Sequence, residues 1–162
     1  MRKMTQAEMT QLIHESKWAT ICATGLDGSP YAIEATPFFM DEDICFMINP
    51  RGGVYRCMAR GDMVLVKFTD ASPDLRLWGG VSCRGRGTFV RDANVRKEGW
   101  RLLGLVMGQD YSKASEVLDK EDRSPLFRIR VETMTGRCSG AWGRGRTFPE
   151  AVKALPRMGE TG

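Results

Sequence analysis

A segment rich in glycine and arginine follows an apolar run near the middle of the chain. Residues 45–58 read CFMINPRGGVYRCM, with Gly52 and Gly53 between Arg51 and Arg56. Glycine lets a backbone approach an anion closely, and a guanidinium can bind a phosphate through two parallel hydrogen bonds. A solvated turn would explain the glycines alone, whereas a phosphate site would explain the glycines and the arginines together. The segment by itself leaves both interpretations open.

Few other residues suit catalysis or metal binding. His14 is the only histidine and lies in a predicted helix, so no Ser-His-Asp or Cys-His arrangement is supported. The five cysteines are widely separated and contain no CxxC pair, which argues against a zinc site and against a disulfide framework. We therefore expect no metal, no catalytic side chain of the chain's own, and reduced thiols in a cytoplasmic protein. If the protein is an enzyme, a cofactor must supply the chemistry.

The composition is that of one ordinary globular domain. The chain has 162 residues, of which 42% are hydrophobic, and its formal net charge is +4. The excess arginine is spread through the second half, which favours a small anion over a nucleic acid as the ligand. No stretch approaches the roughly 20 apolar residues that span a bilayer, so no membrane anchor is expected. We expect one domain over residues 1–148 and a polar tail over 149–162.

The first half of the chain predicts one helix and then strands. A capping-box spacing at Thr5–Glu8 predicts a helix that runs to about Ser16. Three strands in meander order should follow, over 18–24, 31–40 and 44–48. Asp27-Gly28 is a hairpin turn signal between the first two, and Pro37 marks an edge, a bulge or a ligand-facing gap.

The second half alternates strands with helices. A short helix over 54–60 should end at Gly61, before a strand that begins near residue 62. A long strand over 75–90 contains Gly79-Gly80 and is either two strands or one strongly bent strand. Further elements are predicted in this order: a helix from Asp92, a weaker helix over 112–119 and a strand over 127–134. Together the elements predict an α+β chain built on a small antiparallel β-barrel of about six strands, with short flanking helices.

Five segments follow one another between about Leu12 and Arg137. They are WATICATGLDGSPYAIEATPFFM, ICFMINPRGGVYRCM, GDMVLVKF, WGGVSCRGRGTFVRD and FRIRVETMTGR. Their order and spacing resemble the FMN-binding split barrel of the pyridoxamine 5'-phosphate oxidase-like proteins, most nearly the nitroimidazole-reductase-like branch. The resemblance makes the predicted fold an antiparallel split β-barrel.

The resemblance also implies a ligand and a partner. It implies a homodimer with FMN at the subunit interface and a small-molecule substrate or electron acceptor. The flavin ring would lie along the second strand, the phosphate would lie in the loop after the third, and the partner subunit would cover both. The residues carried over are Ile33, Glu34, Ala35 and Thr36 at the ring, Asn49, Arg51, Gly52, Gly53 and Val54 at the phosphate, and Gly80 and Val81 from the partner.

The sequence departs from the family pattern in two places. Met47 stands where the nitroimidazole-reductase branch usually has a histidine. The family also carries a lysine in the phosphate loop, near the position of Gly53 and Val54 here. Arg51 or Arg56 must then supply the positive charge, and arginine is chemically suited to that task.

The sequence leaves more than one interpretation open for three further features. Gly79-Gly80 could admit a flat ring against the strand or form a barrel corner. Glu34 could face water at the barrel mouth or contact the flavin. The segment 136–146, GRCSGAWGRGR, could bind nucleic acid, lay Trp142 over a flavin edge, or form a surface turn that the tryptophan anchors.

The leading hypothesis is a homodimeric FMN-binding oxidoreductase that passes electrons or hydride from a reduced donor to a small acceptor. A second hypothesis is a flavin- or haem-binding protein or sensor without catalytic activity, which the Met47 departure favours. A third hypothesis is a barrel that binds single-stranded nucleic acid. It is less favoured, because the basic residues are only weakly clustered.

Overall fold

The protein folds as an antiparallel sheet with short helices at its rim. The structure is a computed structural model that describes residues 1–118 and 123–143. Within these residues the elements are β1 Arg2–Lys3, α1 Gln6–Glu15, β2 Ala19–Thr24, β3 Pro30–Ala35, β4 Phe38–Met40, β5 Asp43–Met47, α2 Gly53–Met58, β6 Met63–Ala71, β7 Trp78–Phe89, α3 Ala93–Met107, α4 Ser112–Leu118 and β8 Leu126–Cys138. The predicted tail over 149–162 lies outside the described residues.

All strand pairs are antiparallel, and the sheet curls into a split barrel. The strand order is β3-β2-β6-β7-β8-β5-β4, and β1 pairs with β8. The predicted α+β antiparallel split barrel with flanking helices is therefore confirmed. The predicted meander order is wrong, because the β4-β5 hairpin pairs with β8 and not with the strands that precede it in sequence.

Pro37 marks the point where the barrel splits. The predicted strand over 31–40 is divided into β3 and β4, which lie at opposite edges of the sheet and are joined by Thr36 and Pro37. Proline cannot donate to a strand ladder, so continuous pairing through this position is disfavoured. The prediction of an edge at Pro37 is confirmed. Because the strand breaks there, β3 is left with β2 as its one partner among the described strands.

The long β7 strand is a single strand with an irregularity in its pairing. Its pairing with β8 shifts register between Arg84 and Gly85. A Cβ on Gly85 would lie 2.1 Å from the carbonyl oxygen of Arg130, so no larger residue fits against the partner strand there. Of the two predicted alternatives, a single strand is therefore confirmed over two strands.

Two apolar clusters hold the elements in place. The main cluster fills the barrel, where Ile21, Val66 and Phe127 have no exposed surface, and α1 covers it. The second lies between the β4-β5 hairpin and α3, around Phe38 and Trp100. Among the described helices none is long and apolar enough to cross a membrane.

An ion pair fixes α1 to both ends of the described chain. The predicted capping box is present, since the Glu8 N–H donates to Thr5 Oγ1 at 3.2 Å and the Thr5 N–H donates to Glu8 Oε2 at 2.8 Å. The Arg2 guanidinium donates to both carboxylate oxygens of Glu8, at 2.6 and 2.8 Å, and to the carbonyl oxygen of Trp142 at 2.8 Å. The hydrogen bonds from Arg2 lower the pKa of Glu8 to about 2.

Candidate functional site

The loop after β5 is folded by Asn49. Its side-chain Oδ1 accepts the N–H of Arg51 at 2.9 Å, and its carbonyl oxygen accepts the N–H of Gly52 at 2.9 Å. Gly52 is the N-cap of α2 and forms no side-chain cap. The N–H groups of Gly53 and Val54 occupy the first two helical positions, where no intrahelical acceptor exists. Asn49 therefore shapes the loop, and Gly53 and Val54 provide backbone donors at its open end.

The loop carries positive charge that no carboxylate among the described residues neutralises. Arg51 and Arg56 are exposed, and neither forms an ion pair with a carboxylate in the part of the chain that the structure describes. Arg60, one turn further along, differs because its Nε lies 3.1 Å from Asp62 Oδ2. Two unpaired guanidiniums beside free backbone donors are the arrangement that a phosphate requires.

Arg123 joins this loop although sequence reasoning did not select it. Its Nη1 approaches the carbonyl oxygen of Pro50 at 3.5 Å. The pairing of β5 with β8 brings the residues before β8 next to those after β5, as the hydrogen bond from the Ile48 N–H to the Pro125 carbonyl oxygen shows. The signal that could have revealed Arg123 is therefore a strand pairing, which the chain's local pattern does not contain.

Tyr31 links β3 to the loop. Its hydroxyl lies 4.0 Å from the position that a Cβ on Gly53 would occupy, and its side chain is partly exposed. Val54, by contrast, is buried against the barrel core, so only its backbone N–H can take the predicted role at a phosphate. The start of β3 and the start of α2 thus form one continuous surface.

The four predicted ring contacts lie along the edge strand and just after it. Ile33 and Ala35 are half-buried and pack against the barrel cluster. Glu34 is exposed, and its Oε1 accepts the Thr20 hydroxyl at 2.6 Å, which agrees with a residue at the water-facing mouth. The Thr36 hydroxyl donates to Met107 Sδ at 3.4 Å. β3 pairs with β2 on one side and with no described strand on the other, so this edge is open to a planar ligand.

Gly79 and Gly80 face opposite sides of the sheet. A Cβ on Gly79 would lie 2.8 Å from Cε2 of Trp142, so the flat ring that packs on this glycine belongs to the chain itself. Gly80 lies on the outer face, where its Cβ would be 3.1 Å from Lys67 Nζ. Val81 has no exposed surface, so its side chain cannot reach a cofactor held by a partner. Of the two predicted partner contacts, only Gly80 is accessible.

Trp142 is a core residue. Its side chain is 2% exposed, and its indole N–H donates to Asp70 Oδ2 at 2.9 Å. It therefore has no surface to lay over a flavin edge, which corrects that prediction in favour of the anchoring tryptophan. The same burial removes the aromatic side chain that the nucleic-acid hypothesis required from this segment. The arginines at 144 and 146 lie outside the described residues.

The remaining polar candidates do not form a catalytic group. Met47 is half-buried against α3, where its methyl lies 2.7 Å from the position of a Cβ on Gly99. Burial lowers the pKa of His14, whose ring centroid lies 4.4 Å from that of Phe39. Burial raises the pKa of Cys45 to about 12, so this thiol stays protonated and unreactive. In residues 1–118 and 123–143 no cluster of His, Cys, Asp or Glu could hold a metal ion.

Solved structures resemble this chain, although its sequence has no close match. No protein-family model matches it, and a search of curated proteins finds no significant match. A candidate 5-nitroimidazole antibiotic resistance protein from Bacteroides thetaiotaomicron is 16% identical with a TM-score of 0.69, over 85% of this chain and 86% of that one. A FAD-binding protein from Mesorhizobium loti is 21% identical with a TM-score of 0.64, over 85% and 96%.

A third similar structure is that of a protein with a different ligand, haem. A haem storage protein from Vibrio cholerae is 15% identical with a TM-score of 0.58, over 80% of this chain and 92% of that one. At such identities the likeness shows the fold alone, an antiparallel split barrel, and membership of the pyridoxamine 5'-phosphate oxidase-like family stays a prediction. Membership of the nitroimidazole-reductase-like branch stays a prediction.

Proposed function

We propose that the protein binds FMN, with the phosphate in the loop of residues 49–56 and the ring along the free edge of β3. The observation that carries the proposal is the pair of unpaired guanidiniums, Arg51 and Arg56, beside the open backbone of Gly53. The fold adds support, because one of the similar solved structures is a FAD-binding protein.

The residues present suit a flavin phosphate. Guanidinium groups and backbone N–H groups are the donors that phosphate oxygens accept most strongly. Within 4 Å of the position that a Cβ on Gly53 would occupy, the one described atom beyond its chain neighbours and its own helix is the Tyr31 hydroxyl oxygen, at 4.0 Å. A phosphate placed there would accept hydrogen bonds from the backbone and pair with Arg51, Arg56 or Arg123. The loop can therefore hold the group without any rearrangement of the core.

A second copy of the chain would cover the flavin. Large apolar side chains are exposed at one end of the sheet: Trp18 before β2, and Leu75 and Leu77 in the loop between β6 and β7. The register of β2 with β6, in which Thr20 lies opposite Lys67, brings the start of β2 to the same end as that loop. Clusters of exposed apolar side chains support burial in an assembly. The homodimer is tested by the sedimentation coefficient of the purified chain.

We further propose that the protein is an oxidoreductase. When bound, the flavin supplies two-electron chemistry between a reduced nicotinamide and a small acceptor. The chain's own residues would bind and orient the flavin and keep water from its covered face. Burial keeps the His14 ring and the Cys45 and Cys83 thiols uncharged, so we assign them no part in the chemistry, and the protein's role would be to position the flavin.

The test is a flavin titration with matched arginine variants. Purified protein is titrated with FMN and with FAD, and binding is followed by the quenching of flavin fluorescence. Replacement of Arg51 or Arg56 with alanine should weaken FMN binding by about 10- to 100-fold, since one charge-assisted hydrogen bond contributes about 1.5–3 kcal/mol. Arg101→Ala removes the same charge from an exposed position on α3, away from the loop and from β3, and should leave the affinity unchanged.

The outcomes test separately whether the protein binds flavin and whether the loop holds the phosphate. FMN binding that neither Arg51→Ala nor Arg56→Ala weakens would place the phosphate elsewhere, and no flavin binding by the wild type would remove the proposal. Flavin reduction by NADH or NADPH, with turnover of an acceptor, tests the catalytic part. Haem binding is less favoured, because the ring of His14 is packed against Phe39 and its Nε2 has no open face. A Soret band in the purified protein would reverse that preference.

A further inference from the structure

A second cavity lies between α3, the turn that follows it and α4. Its volume is about 600 Å³, within the roughly 300–1,000 Å³ of small-molecule sites. Trp100, Leu105 and Tyr111 contribute apolar surface, and Ser112 and Ser115 contribute hydroxyl groups. The proposed flavin loop and β3 do not line it. The cavity is therefore a separate space that the flavin proposal leaves without a role.

Two aromatic rings form one wall of this cavity. Trp100 is 6% exposed, and its ring centroid lies 6.0 Å from that of Tyr111, with the planes tilted by 34°. This separation leaves no room for a third ring between them, so the two present a continuous aromatic surface. A flat apolar ligand can pack against such a surface in an offset or edge-on arrangement. Leu105, which is 68% exposed, adds an apolar side chain at the mouth.

The turn that closes the cavity is held in a defined shape. The Gln109 N–H donates to the carbonyl oxygen of Gly104 at 3.0 Å, and Gly108 ends α3 with a φ of 63°. A Cβ on Gly104 would lie 2.6 Å from the Gln109 carbonyl oxygen, so glycine is required for this close approach. The cavity wall is thus set by backbone geometry.

Two charged groups that line the cavity have no ion-pair partner among the described residues, namely the ammonium group of Lys97 and the carboxylate of Asp110. The Arg101 guanidinium donates to both carboxylate oxygens of Glu98, at 2.7 and 2.6 Å, and its charge is neutralised. Asp110 accepts the N–H and the hydroxyl of Ser112, at 2.9 and 3.1 Å. Lys97 is exposed at the rim and pairs with no carboxylate among residues 1–118 and 123–143. An anionic ligand would therefore find a free cation at the edge of an apolar space.

We propose that this cavity binds a small aromatic anion. The ring of the ligand lies against Trp100 and Tyr111, and its acidic group pairs with Lys97. Apolar contact supplies most of the affinity, and the ammonium group orients the ligand, because an ion pair at an exposed rim contributes only about 0.2–1 kcal/mol. The site does not depend on flavin binding.

Two dyes with the same ring system test the ring and the charge separately. The first, 8-anilinonaphthalene-1-sulfonate, carries an anionic group, and the second, N-phenyl-1-naphthylamine, lacks it. Fluorescence titration of the full chain should give one site per chain for the sulfonate dye, with the same affinity in the presence and absence of added FMN. Circular dichroism on the same samples checks that every variant is folded.

Paired variants locate the site. Lys97→Glu should weaken the sulfonate dye about fivefold, as expected for the loss of an exposed ion pair, and leave the uncharged dye unchanged. Lys113→Glu makes the same charge change on α4 away from the cavity and should alter neither dye. Leu105→Glu should weaken both dyes, whereas Val106→Glu, at the adjacent exposed position outside the cavity, should weaken neither.

Each alternative outcome overturns the proposal. Equal effects of Lys97→Glu and Lys113→Glu would show a general charge effect, and equal effects of Leu105→Glu and Val106→Glu would place the dyes elsewhere on α3. Displacement of the sulfonate dye by FMN would place it in the flavin site. Failure of FMN to bind would leave the dye result intact, so the two proposals fail independently.

Discussion

Replacement of Gly79 with alanine should destabilise the fold, whereas the same change at Gly80 should not. A Cβ on Gly79 would lie 2.8 Å from Trp142 Cε2 and 3.0 Å from Leu12 Cδ1. Both neighbours are 2% exposed, and the indole is held by its hydrogen bond to Asp70. Neither side chain can move aside without disturbing the packing between α1 and the sheet.

The expected magnitude follows from two opposing contributions. Overpacking of a filled core lowers the free energy of unfolding by about 1–3 kcal/mol. Alanine has less conformational freedom than glycine in the unfolded chain, which raises the free energy of unfolding by about 0.4–1 kcal/mol. The free energy of unfolding should therefore fall by about 1–2 kcal/mol for Gly79→Ala. At Gly80 the nearest atom is the flexible end of Lys67, at 3.1 Å from the new Cβ, and it can rotate away. Gly80→Ala should be neutral or slightly stabilising.

Urea unfolding followed by far-ultraviolet circular dichroism measures the difference. The midpoint should be lower for Gly79→Ala than for Gly80→Ala, with the same slope, since the surface exposed on unfolding is unchanged. Equal midpoints, or a lower midpoint for Gly80→Ala, would refute the placement of Trp142 against Gly79. Titration of the same two variants with FMN is informative as well. Gly80→Ala should weaken binding if the outer face of β7 approaches a flavin held by the partner.

Three further predictions concern pH and the loop. The pKa of Glu8 is lowered to about 2, so its contribution to stability is present above its ordinary pKa and is lost as the pH falls from about 4.5 towards 2; Glu8→Gln should lower the urea midpoint at pH 7 but much less at pH 2. Burial lowers the pKa of His14, so the unfolded chain takes up a proton first and stability should fall as the pH drops below about 6.5. His14→Leu should flatten the dependence of Tm on pH in that window, and an unchanged slope would contradict the buried neutral imidazole. Gly53→Lys should keep the fold and tighten FMN binding by up to about fivefold in the fluorescence titration, as expected for one exposed ion pair; weaker binding would argue against a phosphate beside residue 53.

Local signals in the sequence predicted the elements well. The capping box at Thr5–Glu8 starts α1, the Asp27-Gly28 turn joins β2 to β3, and Gly61 follows α2 with a φ of 72°. Each of these features is decided by residues a few positions apart, which is why periodicity and turn chemistry suffice. The division of the second predicted strand at Pro37 was signalled in the same way.

Features that depend on distant segments could not be predicted from one sequence. The pairing of β5 with β8 joins residues about 80 positions apart, from Met47 with Leu126 to Ile44 with Ile129, and it alone brings Arg123 to the loop after β5. The burial of Trp142 depends on contacts with β6, β7 and α1, and its glycine-rich surroundings in the sequence resemble an exposed loop. Gly79 and Gly80 look alike in the sequence because their roles differ only in the side of the sheet that each faces.

The structure gives a physical reason for the way the loop's charge is arranged. The proteins that the sequence resembles carry a lysine near residues 53 and 54, but Val54 here is directed into the barrel cluster, where an ammonium group would be buried without a partner. Residue 53 is open to solvent and is glycine, so this chain does not use the one nearby position that could carry a lysine. Positive charge is available instead from Arg51 and Arg56 on the loop itself and from Arg123 before β8, which lies 3.5 Å from the Pro50 carbonyl oxygen. Planar guanidiniums bind an anion at two points. In the proposed site these directional contacts would replace a single flexible charge, and the position of the phosphate would depend on the β5-β8 pairing that brings Arg123 to the loop.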